Sequence, residues 1–263
     1  MRLEGKNAII YGAAGAIGGA VARAYAREGA RVFLTGRHMK RLDAAVRQIV
    51  ADGGHAQANE VDALDEDAVK THADGVAREH GGIDVSFNAI GIAQPGIQGV
   101  ALADLPLDRF QAPIHAYLTS HFLTARAAAP HMTAQGSGVL ITLTAPPGQA
   151  AVPLVGGMAP AWAGVEALTR VLAAELGPHG VRVVCLRPDA IPETATIDTV
   201  YGLHARALGI TTTEFTEAMR ARTLLRRLPT LAQVAATAVY LASDDAGAVT
   251  GTTANLSSGS LVD

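Results

Sequence analysis

The sequence "NAIIYGAAGAIGGAVARA", residues 7–24, places a glycine-rich turn between an apolar run and an alanine-rich segment. The run NAIIY is typical of a buried strand, and the apolar spacing over residues 16–28 is typical of a helix. Small residues in the turn let the backbone approach a pyrophosphate, and the N-terminus of the helix favours that anion electrostatically. The stretch therefore predicts a strand–turn–helix unit that binds a dinucleotide. The residues expected to hold its phosphates are Gly12, Gly15, Ile17 and Gly18.

Downstream of this unit, short β-rich runs alternate with helical patterns. Repeated strand–helix units of this length favour a parallel sheet covered by helices on both faces. No linker-like shift in composition divides the chain, so we expect one domain over residues 1–263, a Rossmann-type doubly wound α/β fold. The expected strands are NAIIY, ARVFLT, AQANEV, IDVSFNAIG, GVLITLT, VRVVCL and GTTANLS, and the expected helices are residues 16–28, 42–50, 65–80 and 107–132, a helix around Trp162, and LAQVAATAVYLA.

Two further local patterns concern the second half of the chain. Thr230 and Gln233 have the spacing of a capping box, which predicts that a helix begins there. Residues 188–213 follow the strand VRVVCL without a clear period, and we expect irregular structure over them.

Composition excludes several classes of function. The chain has 263 residues, and its formal net charge of -3 argues against a general nucleic-acid or anionic-membrane binder. Residues 127–165 contain no Asp, Glu, Lys or Arg, but prolines and glycines interrupt them, so a buried strand, a loop and a packed helix are expected there and not a membrane span. The start MRLEGKNAII lacks the apolar segment of a signal peptide. The single cysteine, Cys185, fits a buried thiol in a reducing, cytoplasmic compartment.

The end of the second predicted strand bears on the choice of cofactor. In units of this kind that bind NAD, an acidic residue usually stands there and holds the ribose hydroxyls. Here the sequence reads LTGRHMKR, with Arg37 and no acid. Because a guanidinium pairs well with a 2′-phosphate, the pattern favours NADP(H) over NAD(H). The alternative is a solvated arginine at the start of a helix.

The chain resembles the short-chain dehydrogenase/reductase family along its whole length. The resemblance is carried by YGAAGAIG, VDALDEDAV, IDVSFNAIG, LTARAAAPHM, AGVEALTRVLAAELGPHGVRVVCLRP and YLASDDAGAVTGTTANLSSG. It implies an oxidoreductase in which a nicotinamide cofactor carries the hydride. It also implies that Asp62 contacts the adenine amine, that Asn88 and Gly91 end a turn beside the cofactor, and that Ile191 and Thr194 hold the nicotinamide amide.

The chain departs from this family at several positions. Ala89 and Ile90 replace the middle of the family's Asn-Asn-Ala-Gly turn, and Asp189 replaces the glycine of its Pro-Gly pair. In the family, a Tyr-x-x-x-Lys pair begins the helix that here reads GGMAPAWAGVEAL, with a serine thirteen residues before the tyrosine. The corresponding residues are Met158 for the tyrosine, Trp162 for the lysine, Ala145 for the serine, and Tyr117 for the asparagine of the preceding long helix.

No shift of the alignment restores the pair, because no lysine follows Lys70 and no tyrosine lies between Tyr117 and Tyr201. In the family chemistry the tyrosine transfers the proton, while the lysine lowers its pKa and holds the nicotinamide ribose. Trp162 offers one N–H donor and a flat face, with which it can hold the ribose or stack on nicotinamide, but it carries no charge.

The remaining candidates for proton transfer are few. Tyr117 is expected to reach from the long helix toward Met158, and His121, one turn further, makes a Tyr–His proton relay geometrically possible. The alternative is that both side chains pack in a helix interface. Thr144 is next to the position of the missing serine and has a hydroxyl. Because side chains alternate between the two faces of a strand, that hydroxyl can also point away from the site.

A basic segment lies in the expected substrate lid, residues 188–228. It presents either a solvated helix face or a surface that recognises an acidic substrate. The histidines lack metal-ligand spacing with acids, and we expect no metal. The basic residues are Arg220, Arg222, Arg226 and Arg227.

Two functions fit these observations. The first is an atypical NADP(H)-dependent oxidoreductase on a small carbonyl or alcohol, with Tyr117 and Thr144 as the catalytic candidates. The second is a catalytically inactive NADP(H)-binding pseudoenzyme that acts as a sensor or through a partner. In both, charge-poor faces on the long helix and the Trp162 helix predict a homo-oligomer, a tetramer or a dimer. Neither nucleic acid nor a membrane is expected as a partner.

Overall fold

Seven parallel strands form one sheet in the computed structural model, which describes residues 1–262. Their spatial order is β3-β2-β1-β4-β5-β6-β7, and helices cover both faces, which confirms the predicted fold class. The strands are β1 (Asn7–Tyr11), β2 (Arg31–Gly36), β3 (His55–Glu60), β4 (Val85–Asn88), β5 (Gly138–Leu143), β6 (Val181–Pro188) and β7 (Thr252–Leu256).

The helices occur where the apolar period changes from two to about 3.6 residues. Each of the six predicted helices is present, and α6 and α7 are additional to them. The helices are α1 (Ala16–Arg27), α2 (Met39–Ala51), α3 (Glu66–His80), α4 (Leu107–Gln135), α5 (Met158–Leu176), α6 (Ala195–Leu208), α7 (Thr212–Ala221) and α8 (Leu231–Ala242).

The prediction of irregular structure over residues 188–213 is wrong, because most of these residues form α6. Thr194 caps its start by accepting a hydrogen bond from the Ile197 N–H. The buried residues Tyr201, His204 and Ala205 have helical spacing, which is the signal that the sequence offered. The capping box of α8 is present as predicted, with the Thr230 and Gln233 side chains each bonded to the other's backbone N–H.

Successive residues of each strand contribute side chains to two apolar layers, one on each face of the sheet. Ile10 and Leu34 point toward α1 and α8, whereas their neighbours Ile9 and Phe33 point toward α3, α4 and α5. Burial on both faces explains why the central strands are almost continuously apolar. Among residues 1–262, none of the helices combines the length and apolarity needed to cross a membrane.

The order of the strands reverses between β1 and β4. Tyr11 of β1 is in register with Thr35 of β2 on one side and with Asn88 of β4 on the other. The loops that leave β1 and β4 then diverge to opposite faces of the sheet and open a crevice. In open parallel sheets, ligands bind at this switch point, at the carboxyl ends of the strands.

Candidate functional site

The glycine loop after β1 is packed too closely for side chains. Gly12 has φ +74°, and a Cβ there would lie 2.6 Å from the carbonyl oxygen of Ala89. A Cβ on Gly18 would lie 2.5 Å from the Gly12 oxygen. Gly15 is the N-cap of α1, and Ile17 in its first turn packs on the apolar layer below. The loop therefore ends at an open helix N-terminus, as a phosphate site requires.

Arg37 lies beyond the end of β2 and is exposed to solvent. It is followed by His38, the N-cap of α2, so Arg37 lies at the edge of the sheet where the carboxyl ends of the strands meet. On the adjacent strand end, Asp62 is half-buried and accepts a hydrogen bond from the Leu64 N–H at 3.0 Å. The Val61 N–H bonds the Gly36 oxygen, which brings the segments that carry Arg37 and Asp62 together.

Asn88 is held in place by hydrogen bonds, whereas no neighbouring residue packs closely against Gly91. The amide of Asn88 is buried, donates to Thr124 Oγ1 at 3.2 Å, and accepts from the Ile90 N–H at 3.1 Å. It therefore ties the turn after β4 to α4. Gly91 is exposed, and a Cβ there would meet no atom within 4 Å. The packing of the chain does not demand a glycine at this position, which leaves room beside the backbone for a bound molecule.

A cluster of apolar side chains from α4, α5 and the loop after β4 surrounds Tyr117. We call it the Tyr117 cluster. The Tyr117 ring lies 6.1 Å from the Trp162 ring, and Met158 is only 1% exposed. Its fully buried members are Ile97, Tyr117, Met158, Ala161 and Val165, and Ile90, Ile92, Ile114, Leu118 and Trp162 pack against them.

The hydroxyl of Tyr117 lies in this apolar environment. Burial raises the pKa of Tyr117 to about 12, and hydrogen bonding with the Ile92 backbone and the Gln94 side chain opposes part of that rise. The phenol therefore keeps its proton at neutral pH.

Comparison with known proteins decides the family. A family model described as enoyl-(acyl carrier protein) reductase matches residues 12–260. An uncharacterized oxidoreductase of Bacillus subtilis, YxbG, is 35% identical over 250 residues, which cover 95% of this chain and 89% of that protein. The structure of a short-chain type dehydrogenase/reductase from Mycobacterium marinum superposes with a TM-score of 0.83 at 31% identity, covering 98% of this chain and 96% of that one. The chain belongs to the short-chain dehydrogenase/reductase family.

Members of this family are oxidoreductases that bind nicotinamide cofactors. Xylitol dehydrogenase bound to NAD+ superposes on the chain with a TM-score of 0.93 at 25% identity, covering 98% of this chain and 100% of that one. A gluconate 5-dehydrogenase from Burkholderia cenocepacia, in complex with NADP and tartrate, gives a TM-score of 0.85 at 26% identity and covers 98% and 95%. These two structures hold different cofactors.

In this short-chain dehydrogenase/reductase, both ring nitrogens of His121 contact backbone groups. Nδ1 lies 2.8 Å from the Tyr117 carbonyl oxygen, and Nε2 accepts from the Leu143 N–H at 3.3 Å. Since a carbonyl can only accept, Nδ1 carries the proton. Burial lowers the pKa of His121 to about 4, so the ring is neutral at neutral pH. The Tyr–His relay, the first of the two interpretations left open by the sequence, does not form, because His121 contacts the carbonyl of Tyr117 and not its hydroxyl; both side chains are buried, as the alternative expects.

Thr144 lies at the end of β5, and its hydroxyl faces a buried polar network. Oγ1 is 3.0 Å from Glu166 Oε1 and 3.2 Å from Cys185 Sγ. Glu166, from α5, also pairs with the Arg187 guanidinium of β6 at 3.3 Å, and Arg187 donates to Gln149 at 2.6 Å. Cys185 is buried as expected, and burial raises the pKa of its thiol to about 11. The network joins β5, α5, β6 and the loop after β5 directly behind the Tyr117 cluster.

The segment after β6 carries Ile191 and Thr194, both of which are buried. The Thr194 hydroxyl donates to the Ile191 oxygen at 2.9 Å and caps α6. Asp189, in place of the family's glycine, accepts two hydrogen bonds from Arg222, at 3.0 and 2.9 Å, and one from the Ser260 hydroxyl. One of the four lid arginines is therefore bound to the chain itself.

The other three lid arginines are exposed. Arg220 pairs with Glu217 at 2.6 Å, and Arg226 donates to the Ala221 oxygen. Most of this segment therefore forms a solvated surface, in agreement with the first of the two interpretations that the sequence left open.

Sequence reasoning did not identify two sets of polar residues. Glu166 and Arg187 interrupt apolar runs, and this was the available signal, because a charge at a core position usually has a partner. Gln94, Gln98 and His204 belong to a loop and to α6, whose structure the sequence did not predict.

Proposed function

We propose that this chain is an atypical short-chain dehydrogenase/reductase that binds NADP(H) and interconverts a small carbonyl compound and an alcohol, with Tyr117 as the proton donor. The observation that carries this proposal is that the Tyr117 ring packs against Met158 and Trp162. These two residues correspond, through the family resemblance, to the missing tyrosine and lysine. Tyr117 therefore brings a phenol to the region from which the usual phenol has been lost.

The cofactor would be held along the crevice at the switch point. The glycine loop, Gly12, Gly15, Ile17 and Gly18, offers its backbone and the N-terminus of α1 to the phosphates. The exposed Arg37 is placed for a 2′-phosphate, and Asp62 for adenine. The remaining contacts expected with the nicotinamide end are Asn88, Gly91, Trp162, Ile191 and Thr194.

The bound nicotinamide supplies the hydride chemistry. Tyr117 would hold a proton at its hydroxyl oxygen until a substrate oxygen accepts it. Since burial raises the pKa of Tyr117 to about 12, the phenol is protonated at neutral pH, as carbonyl reduction requires at its start, whereas alcohol oxidation must start from the scarce phenolate. We therefore expect the chain to favour reduction of a carbonyl over oxidation of an alcohol. The same raised pKa makes the phenol a weak acid, so proton transfer is slow in the reductive direction as well.

The lost lysine limits the rate. Trp162 is half-buried against Tyr117 and offers an N–H and a flat face, but it has no charge with which to lower a neighbouring pKa. Thr144 is engaged with Glu166 and Cys185, so we infer that it supports the site from behind and does not touch the substrate. Turnover is therefore expected to be slow compared with that of relatives that keep the pair.

A second candidate function is a cofactor-binding pseudoenzyme. The observation that favours it is the packing of the Tyr117 cluster, in which Met158 is 1% exposed and Ala161 and Val165 are fully buried. Such a cluster excludes water and can close over the place of the nicotinamide. In that case the protein would bind NADP(H) as a sensor or in a complex.

A substrate screen distinguishes the two functions. Consumption of NADPH would be followed with small ketones and aldehydes, using the wild type, Tyr117→Phe and, as a matched control, Tyr240→Phe on the exposed face of α8. Tyr117→Phe should lose about a hundredfold or more in kcat, while the control keeps wild-type turnover. Full turnover by Tyr117→Phe would refute the proposed role, and binding of NADPH without any turnover would favour the pseudoenzyme.

A further inference from the structure

A chain of buried hydrogen bonds runs from the lid to the loop after β4. His204 Nε2, in α6, lies 3.0 Å from Gln98 Oε1, and Gln98 Nε2 donates to Gln94 Oε1 at 2.6 Å. Gln94 Nε2 in turn donates to the Ile92 carbonyl at 2.8 Å. The three side chains are each at least nine-tenths buried. Buried polar groups that bond one another in series adopt one arrangement, because any reversal leaves a donor or an acceptor unsatisfied.

The direction of this chain follows from its acceptors. Since the Ile92 carbonyl can only accept, the amide nitrogen of Gln94 must face it, and the oxygen of Gln94 must face Gln98. The same reasoning turns the oxygen of Gln98 toward His204, whose Nε2 must then carry a proton. Every donor therefore points away from the lid and toward the Tyr117 cluster.

The chain ends beside the hydroxyl of Tyr117. Ile92 and Ile97, from the same loop, pack against its ring. The Ile92 backbone and the Gln94 side chain also lower the pKa of Tyr117, against the rise that burial causes, so both lie close to its hydroxyl. The loop of residues 92–98 therefore carries both the end of the hydrogen-bonded chain and side chains that pack in the Tyr117 cluster.

We propose that His204 is a positioning residue for Tyr117: through Gln98 and Gln94 it fixes the loop of residues 92–98 that packs against the phenol, and it thereby holds the phenol in the orientation that proton transfer to a substrate needs. This inference rests on the proposed function, in which Tyr117 transfers that proton.

The position of His204 is itself fixed by tight packing. Its ring stacks on Phe215 of α7, with ring centroids 5.4 Å apart. The loop meets α6 at Gly99, where a Cβ would lie 2.9 Å from the Leu203 oxygen. Because α6 and the loop touch without space for a side chain, a displacement of the lid moves the first donor of the chain. The position of α6 and the orientation of the phenol are therefore coupled.

The test uses the full-length protein labelled with 13C at the Cζ of tyrosine. The five tyrosines give five resonances, and the one that disappears in Tyr117→Phe identifies Tyr117. In His204→Phe, which keeps a ring on Phe215, and in Gln98→Met, which keeps the length of the side chain, we expect the Tyr117 resonance to shift. In His204→Gln, whose amide can still donate to Gln98, we expect the resonance to return to its wild-type position.

The matched control is Tyr201→Phe. Tyr201 lies one turn before His204 on α6, packs on the same Phe215, and has a buried hydroxyl without a partner among the described residues. Its removal should leave the Tyr117 resonance unchanged. An unchanged resonance in His204→Phe and Gln98→Met, or an equal shift in Tyr201→Phe, would overturn the proposal.

Kinetics separate this inference from the function on which it rests. With a substrate of the wild type, His204→Phe and Gln98→Met should lower kcat about 10- to 100-fold with little change in KM, and His204→Gln should restore kcat. If the resonance shifts but Tyr117→Phe turns over at the wild-type rate, the coupling stands and the proposed function fails. If the resonance shifts in His204→Phe while kcat is unchanged and Tyr117→Phe is inactive, His204 is not a positioning residue.

Discussion

The ring of Tyr117 on α4 lies 6.1 Å from the ring of Trp162 on α5, and the two planes are tilted by 43°. The family resemblance puts Tyr117 in place of the family's asparagine and Trp162 in place of its lysine, and the contact joins these two residues. A site that keeps the family's usual residues would bring an amide and an ammonium group to this point. Here it brings together a phenol and an indole, which exclude water and carry no charge.

We expect bound NADPH to quench the fluorescence of the protein. Trp162 is the only tryptophan, and our proposal places it at the nicotinamide ribose, so its emission overlaps the absorption of the reduced cofactor at short range. NADP+ lacks that absorption and should change the emission less. Titration of the wild type with both forms measures the effect, and Trp162→Phe supplies the background. Unchanged emission at saturating NADPH, together with no heat of binding by calorimetry, would show that the protein does not bind the cofactor at the proposed site.

Arg37→Ala should weaken NADPH far more than NADH. An exposed guanidinium that pairs with a 2′-phosphate contributes about 1.5–3 kcal/mol, which corresponds to a loss of about 10- to 100-fold in affinity. NADH has no such phosphate and should bind the variant as it binds the wild type. Arg47→Ala, on the exposed face of α2, is the matched control. Equal affinity of the wild type for the two cofactors would contradict the assignment.

The fold could be predicted from the sequence because its signals are local and repeated. Most strands are short apolar runs, each of six helices has a clear period, and the glycine loop identifies the first unit. The long helix α4 was recognised despite Pro113 and Pro130, since its apolar spacing continues through both. The helix α6 was missed because its buried face is formed by Tyr201, His204 and Ala205, two of which are not typical core residues.

The candidate site could be predicted only in part. Positions were assigned through the family resemblance, but the partners of each side chain depend on its orientation, which sequence does not give. His121 illustrates this limit, since its spacing from Tyr117 suggests a side-chain contact and its ring instead bonds the Tyr117 carbonyl. Arg222 is a second case, because only the fold brings it to Asp189 across 33 residues of chain.

Glu166→Leu should destabilise the protein strongly. Its carboxylate lies 3.3 Å from the buried Arg187 guanidinium and accepts from the Thr144 hydroxyl. Removing one member of a buried pair typically costs about 3–5 kcal/mol, because the other charge stays buried with one opposite charge fewer. The double variant Glu166→Leu/Arg187→Met should recover much of this loss. Chemical denaturation measures both, and a double variant no more stable than Glu166→Leu would show that the pair does not act as a unit.

We propose that the protein is a homo-oligomer, a tetramer or a dimer, assembled through α4 and α5. Phe122 on α4 is 44% exposed and Val171 on α5 is 53% exposed, and the two helices pack against each other. Exposed apolar residues on adjoining charge-poor helices are typical of an interface. Phe122→Glu and Val171→Glu should lower the mass measured by light scattering, whereas Leu102→Glu, at an exposed site outside these helices, should not. A monomeric wild type at micromolar concentration would contradict the proposal.

The stability of the protein should fall as the pH decreases from about 6.5 to about 4, in part because of His121. Burial lowers the pKa of His121 to about 4 in the folded state, whereas the unfolded chain has the ordinary value of 6.5. Between these two values the unfolded state binds more protons, so the free energy of unfolding rises with pH across the window and is constant above it. A shift of this size corresponds to about 3 kcal/mol at most.

The contribution of His121 can be isolated with a variant. His121→Gln retains an amide that can bond the Tyr117 carbonyl and the Leu143 N–H but does not titrate, so the pH dependence of its unfolding should be flatter over the same window. The buried rings of His72 and His204 have lowered pKa values and contribute slopes of the same sign, so the difference from the wild type is the quantity to measure. His179→Gln, at an exposed turn, should keep the wild-type slope. If His121→Gln keeps that slope as well, the ring of His121 is not held neutral between its two backbone partners.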